Sequence, residues 1–446
     1  MSKNNKEFPV GKINFEIETL GPIRDSIVNF KPFLLFSGES NTGKSYAAMA
    51  VYYLFFMLNN DEMISELTSK LFEIKKIGNA LKPGQEIMID LTKSAVEEAE
   101  KLFNKNISRF MAYMLGYDEF SCKVSLKLEV SSEYELKTFF SCSKEEYEQN
   151  QVRLKTLFPH KGISENYNKD SIFGESAGEL KEFVRGLYMT LFFDKYVIRN
   201  FLLPPARGAF SGLTYSMLKA YSGIGMYNEF LEGIDNVRFR GFLPDAFRKQ
   251  EEIVNSLFFK LLNGSLKVEK DQAYLRLQDS DGEIPLTAGS SSAKELFPLC
   301  LILNRLPIND LSLCIEEPEA HLHPELQRSV ALILSYIVNR DGFIQVTTHS
   351  DFFMNQVNNL VKLHFIGNKE PRRLKKVLKE IGIPGEFALN PENVGAYYFE
   401  KTKDKVQTRK LEISEKGMPL ESFKNAYDRS VKETRNLREA LTDDDE

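Results

Sequence analysis

Between an apolar run, Phe33–Phe36, and a strongly apolar helical run from Tyr46 to about Asn60 lies GESNTGKS, Gly38 to Ser45, which reads G-x-x-x-x-G-K-S. No other feature of the chain restricts its folding as strongly. A strand, a glycine-rich turn and a helix in that order make a phosphate-binding loop, because glycines let the backbone wrap an anion closely at a helix N-terminus. Each position then has an expected part. Gly38, Glu39, Ser40, Asn41, Thr42 and Gly43 bring backbone N–H groups to the phosphates, Lys44 meets the outer phosphate charge, and Tyr46 opens the helix. The Ser45 hydroxyl is a ligand for Mg²⁺. The ligand this implies is a nucleoside triphosphate.

At 446 residues the chain exceeds the size at which a single core stops growing, so a nucleotide-binding domain with a second lobe is expected. A hydrophobic content of 42% supplies core for both. The formal charge of −5 gives no general attraction to nucleic acid or anionic membranes, and no basic tract stands out. Cys122, Cys142, Cys300 and Cys314 are widely spaced with no C-x-x-C pair, and read as reduced, structural thiols. The N-terminus has no apolar leader core, and no unbroken run of about 18 apolar residues occurs, so a cytoplasmic protein without a membrane span is expected.

Periodicity places strands at 11–19, 25–30 and 33–36, amphipathic helices across 61–115, and a small β element from 123 to 140. Residues 144–260 read as mostly helical, broken by LLPPARGAF at 202–210. A hairpin is expected from SLKVEK (265–270) and AYLRLQ (273–278), followed by a turn at 279–282. A second hairpin is expected within 393–417, then a charged amphipathic helix at 418–440 and a solvated acidic tail, TDDDE. The next strand of nucleotide-binding type after the loop starts near Leu311, so the intervening chain must form a lobe of its own. This gives a head in two parts, 1–60 and 263–446, around an inserted lobe at 61–262. The insertion lacks sustained heptads and is therefore expected to be compact and mainly helical.

The segment LSLCIEEPEAHLHPELQ, Leu311 to Gln327, is an apolar strand that ends in adjacent carboxylates. Alternation along a strand turns Glu316 and Glu317 to different faces, which suits Glu316 to hold Mg²⁺ and Glu317 to polarise the attacking water. Taken alone, such acids read as readily as a solvated strand end. A second strand, DGFIQVTTHS, ends in His349, placed to hydrogen-bond the γ-phosphate or the water. A lone histidine is more often structural, but here it follows the loop and the acid strand in order. Metal ligation by His321 and His323 lacks further ligands, and a loop at a subunit interface is the preferred reading.

That order resembles the ATPase head of ABC type in the SMC, RecF and especially OLD families. The segments carrying the resemblance are ETLGPIRDSIVNFKPFLLFSGE, EEPEAHLHPELQ and TTHS, and it covers residues 11–50 and about 283–417. It implies an α/β fold, an ABC-type P-loop ATPase head with a large inserted lobe, that binds ATP and Mg²⁺. GESNTGKS then stands as Walker A, LCIEEPE as Walker B and His349 as the switch histidine, with catalysis carried by Glu317, His349 and Lys44. PLTAGSSSAKELFPL, Pro285 to Leu299, is similar to the ABC signature, its triplet falling on Ser290, Ser291 and Ser292. Ser292 replaces the usual glycine, which puts close approach of that backbone to a phosphate in doubt. The resemblance implies that Ser291 and Ser292 contact ATP held by a second subunit, in a homodimer or higher even-numbered homo-oligomer. The alternative is an ordinary serine N-cap on a helix at 293–304. LPPARGAF resembles a Leu-Pro-Ala-acid-Arg pattern of OLD-like ATPases, where Arg207 would sense nucleotide or fix the lobe; a plain surface turn is the alternative.

OLD nucleases continue after this histidine strand into an acidic nuclease domain, and no such cluster follows Ser350 here. The resemblance therefore points to a stand-alone anti-phage defence ATPase, of the kind represented by PtuA of Septu and AriA of PARIS. Such an ATPase works with a separate nuclease or effector, with DNA or a phage component as further candidate partners. A DNA-maintenance ATPase of RecF or SMC type, and an ATP-stabilised scaffold with little turnover, are the alternatives.

Overall fold

A computed structural model of the protein describes residues 10–130, 134–158, 161–174, 177–210, 223–238, 240, 243–269, 272–278, 282–420 and 422–442. The expected turn at 279–282, apart from its last residue, and the acidic tail after Thr442 lie outside them. The chain divides into two compact units. One comprises Met1–Phe30, Met49–Asn200 and Asp310–Ser312; the other comprises Lys31–Ala48, Phe201–Asn309 and Leu313–Glu446.

In the first unit, strands β1 (Val10–Leu20) and β2 (Ile23–Asn29) form an antiparallel hairpin, turned at Gly21 with φ 56°. Strand β5 (Cys122–Val130) pairs antiparallel with the other side of β1. Helix Ser94–Leu115 lies against β5, where Asn104 and Glu100 accept hydrogen bonds from Leu126 N (2.8 Å) and Leu128 N (2.7 Å). Backbone donors of an edge strand are thereby satisfied by side chains of the helix. Aromatic side chains fill the space beneath: Tyr53 lies 4.9 Å from Phe103 and 4.5 Å from Phe110, ring to ring.

A second sheet of this unit corrects the expectation of helix through 61–115 and from 144 onward. Strands β4 (Gln85–Asp90), β6 (Lys137–Cys142), β7 (Gln151–Phe158) and β8 (Lys161–Asn168) pair antiparallel in that spatial order. The reason is visible in β7, where Val152, Leu154 and Thr156 are buried while Arg153 and Lys155 face outward. That is the period-two pattern of a half-buried strand, readable in QVRLKTLF, and it contradicts the helical reading of this segment. Strand β8, KGISENYN, has only Ile163 and Tyr167 as large apolar or aromatic residues and so carries a weak hydrophobic signal.

In the second unit the strand order is β16–β15–β3–β14–β13–β9, from β9 (Arg199–Leu203), β3 (Phe33–Gly38), β13 (Leu311–Glu316), β14 (Phe343–Thr348), β15 (Val394–Lys401) and β16 (Val406–Lys410). Strand β3 runs parallel to both β14 and β15. Every residue of β3, β13 and β14 is buried, which explains why none of them alternates between apolar and charged positions: a parallel sheet covered on both faces has no solvent side to mark. Helix Pro324–Asn339 connects β13 to β14, and helix Asp351–Lys369 follows β14. The expected hairpins are present as β15–β16 and as β10 (Gly264–Glu269) with β11 (Gln272–Leu277), to which β12 (Glu283–Pro285) adds a third strand. The protein thus has the α/β fold of an ABC-type P-loop ATPase head. All four cysteines are free thiols, and three of them are buried. Among the described residues no helix is long and apolar enough to cross a membrane.

Candidate functional site

The loop between β3 and helix Lys44–Asn59 belongs wholly to the second unit. Gly38 has φ 137°, and a Cβ built on it would stand 2.6 Å from Phe399 O on the neighbouring strand β15, so only glycine fits. Asn41 (φ 60°) and Gly43 (φ 87°) turn the loop back on itself. Thr42 is buried and its hydroxyl donates to Glu39 O at 2.8 Å. Glu39, Ser40 and Asn41 are exposed, whereas Ser45 and Tyr46 are half-buried in the first turn of the helix.

Lys44 is only 5% exposed, and its ammonium donates to Glu39 O (2.7 Å) and Gly38 O (3.2 Å). Burial lowers its pKa to about 8, against the opposing pull of Glu317, Glu316 and Glu319. The next residue, Ser45, donates its hydroxyl to Glu316 Oε2. The structure therefore joins the two sequence segments through the pair of oxygen ligands assigned to Mg²⁺.

Glu316 ends β13 and is buried, with its pKa pushed up to about 7 chiefly by burial, while the Ser45 hydrogen bond pulls it down. Its Oε1 is buried without a hydrogen-bond partner. An orphaned buried carboxylate oxygen beside a serine hydroxyl suits a hard cation, and Mg²⁺ is commonly held by one or two protein oxygens plus phosphate oxygens. No group of three His, Cys, Asp or Glu side chains able to hold a metal occurs among the described residues, the loop histidines His321 and His323 included.

Glu316 and Glu317 do diverge, but strand alternation is not the cause. Glu317 lies past the end of β13 with φ 44°, held by a hydrogen bond from its N–H to Thr347 O (3.0 Å). A non-glycine residue in this region costs free energy and persists only when its neighbours fix it. The turn leaves Glu317 half-exposed and brings its Oε1 to 3.6 Å from His349 Nε2, beyond hydrogen-bonding distance. The His349 pKa is lowered, first by burial and then by Lys44, while Glu317 and a hydrogen bond with the Gly38 backbone oppose the shift. Lys44, Ser45, Glu316, Glu317 and His349 are thus gathered around one loop.

The signature-like residues stand apart from them. Helix Ser291–Arg305 is capped by Ser290, whose hydroxyl accepts from Ala293 N at 3.2 Å. Ser291 is exposed, and Ser292 donates its hydroxyl to His321 O at 2.8 Å. Among the described residues neither Ser291 nor Ser292 hydrogen-bonds the Gly38–Ser45 loop. His321 sits at φ 59°, and His323 caps helix Pro324–Asn339, with Nδ1 accepting from Glu325 N at 3.4 Å.

Two acids and the burial of an arginine escaped the sequence reading. Glu319 is buried and accepts from Thr348 Oγ1 (2.5 Å) and His349 N (3.1 Å), so it fixes the backbone that carries the histidine. Burial raises its pKa, with the Thr348 hydrogen bond opposing, and its Oε2 has no partner. The third acid of EEPE was its only signal. Arg207 is fully buried, not a surface turn. It donates from Nη1 to Glu316 O (2.8 Å) and Pro204 O (3.2 Å) and from Nε to Glu295 O (3.1 Å), with the Glu295 carboxylate 3.4 Å away. It therefore ties the end of β13 to helix Ser291–Arg305. Glu295 also accepts from Gly208 N at 3.1 Å, an approach that a Cβ at Gly208 would obstruct.

No curated protein matches the sequence. Among solved structures, the SmcHead bound to the C-winged helix domain of ScpA is similar over 90% of this chain and 97% of that chain, at 12% identity and TM-score 0.37. The SMC head domain from Thermotoga maritima is similar over 90% and 99%, at 11% identity and TM-score 0.32. The Smc head domain with an extended coiled coil bound to the C-terminal domain of ScpA, from Pyrococcus furiosus, is similar over 96% and 98%, at 10% identity and TM-score 0.34. Likeness at these scores carries no weight for activity or partners. The family described as "AAA domain, putative AbiEii toxin, Type IV TA system" matches residues 115–355. That span is more than half of the 446 residues and holds Arg207, Glu295, Glu316, Glu317, Glu319 and His349. A chain that joins those residues to a phosphate loop by the Ser45–Glu316 hydrogen bond belongs to this family of AAA ATPase domains.

Proposed function

We propose that the protein binds and hydrolyses ATP as the ATPase component of a bacterial anti-phage defence system, assembling with a separate nuclease or effector. The observation that carries the hydrolytic part is the hydrogen bond from Ser45 to Glu316, with Glu317 and His349 beside it. The defence assignment rests on the resemblance to stand-alone OLD-like ATPases, and the family match supports the ATPase part alone.

In this reading the backbone from Gly38 to Tyr46 cradles the phosphates and Lys44 neutralises the outermost charge. Ser45 and Glu316 would hold Mg²⁺, which would supply charge neutralisation of the phosphates. Glu317, half-exposed and turned away from Glu316, accepts a proton from the attacking water. His349, neutral because its pKa is lowered, hydrogen-bonds the γ-phosphate or that water, and Glu319 keeps its backbone in place. Ser291 and the N-terminal turn of its helix face the ATP of a second subunit, so that ATP drives pairing of heads.

Turnover assays with purified protein test the first part. The wild-type chain should hydrolyse ATP, and Glu317→Gln should retain bound ATP with turnover lost; a chain that does neither has no such site. Co-expression with the product of the adjacent gene tests the second part, which fails if nothing co-purifies. A scaffold that holds ATP with little turnover is favoured by one observation, the engagement of Ser292 with His321 O at a position where close phosphate approach calls for glycine. Negligible hydrolysis with stoichiometric bound nucleotide would select it.

A further inference from the structure

A groove of about 700 Å³ runs between helices Pro324–Asn339, Asp351–Lys369 and Pro371–Ile381 of the second unit. Its lining is mainly apolar, with Leu332, Leu360, Leu363, Ile366, Val377 and Ile381. Helix Pro371–Ile381 forms one wall without fully burying any residue. Its Leu374 and Leu378 lie over Gly367 and Gly385, where an added Cβ would come within 3.0 and 3.1 Å of them. Those two leucines seat the helix, while Val377 and Ile381 line the groove and Ile381 stays 39% exposed. Packed interiors do not leave spaces of this size, and an apolar hollow rimmed by polar groups marks an interaction site.

The charge on this wall narrows the choice of occupant. The helix reads PRRLKKVLKEI, with Arg372, Arg373, Lys375, Lys376 and Lys379 against Glu380. Arg373 and Lys376 have loose acidic partners at 3.5 and 4.0 Å. Arg372, Lys375 and Lys379 form no ion pair among the described residues. Lys362 adds a further cation to the groove, as does Arg328, whose guanidinium donates to Ile381 O at 2.6 Å. A positive field acts over a Debye length of about 8–10 Å, enough to bias what approaches the mouth.

We propose that this groove docks an acidic amphipathic helix of a partner protein, its apolar stripe filling the groove and its carboxylates meeting helix Pro371–Ile381. Amphipathic helices enter grooves of this kind through residues spaced i, i+3 or i+4, and i+7. A bilayer surface cannot reach a lining recessed between three helices, and a nucleic-acid backbone would engage the cations while leaving the apolar residues uncovered. The inference stands on the groove alone and does not require the partner to be an effector.

Selection of displayed helical peptides on the full-length protein tests it. Val377→Glu combined with Ile381→Glu serves as counter-target, and Arg373→Glu with Lys376→Glu, exposed cations on the flank of the helix that carries the groove-lining Glu380, is a second variant. Enriched peptides should be net acidic with an apolar stripe at helical spacing, and should bind either variant about tenfold or more weakly and lose affinity as salt rises. Enrichment of neutral or basic peptides, equal binding to the variants, or no enrichment overturns the proposal. Binding of anionic vesicles or duplex DNA that the charge reversal abolishes and the groove substitutions leave intact also overturns it, by giving the face to lipid or nucleic acid.

Discussion

Lys44 has a lowered pKa because its ammonium is buried, and the neighbouring glutamates only partly offset that cost. A bound triphosphate adds negative charge beside it and favours the charged form, so binding near and above pH 8 must draw a proton from solution. Calorimetric titration of nucleotide at about pH 8.5, in buffers of different ionisation heat, should show net proton uptake that Lys44→Ala removes along with most of the affinity. Uptake that survives in Lys44→Ala would assign it elsewhere. Gly38→Ala should fail for a different reason. A side chain at φ 137° costs about 1–3 kcal/mol on its own, and the contact with Phe399 O adds to it, so thermal unfolding should shift clearly downward. Both positions were legible in sequence, because a phosphate loop is defined by local spacing. Glu319 was not, since its role depends on meeting Thr348 and His349 from a different strand.

Among the elements, β13 and helix Ser291–Arg305 share one buried cation. Arg207 bonds the carbonyl at the end of β13 and the carbonyl of Glu295, and no exposed face competes for it. Its removal leaves Glu295 buried and unpaired, a situation that costs about 3–5 kcal/mol. Arg207→Ala should lower the denaturant midpoint accordingly, and Arg207→Lys should recover little, because an ammonium cannot reproduce the forked donors. Unchanged stability in Arg207→Ala would show that the network is replaceable by water. Sequence reading located the motif but left open whether Arg207 lay at the surface, since burial of an arginine is set by what folds around it. The same limit applies to β8, whose weak pattern is made a strand by pairing with β7.

At the scale of the whole molecule, the order of loop, acid strand, helix and histidine strand was readable along the chain. The partition into units was not. Helix Lys44–Asn59 begins in one unit and ends in the other, and it is apolar along its length, with no proline or serine-rich stretch to mark a boundary. In the proposed function a second chain completes the ATP site, and among the described residues exposed Ser291 makes no hydrogen bond to the Gly38–Ser45 loop of its own chain. The positive end of that helix is suited to an anion supplied from outside. Sedimentation with Mg-ATP should therefore show Glu317→Gln at twice the chain mass or a higher even multiple. Adding Ser291→Glu places a like charge where the γ-phosphate of a second subunit would sit, and should return the protein to a single chain that still binds ATP. The monomeric state of Glu317→Gln under saturating Mg-ATP would refute pairing of heads, whereas loss of ATP binding in Ser291→Glu would place that serine at the site of its own chain.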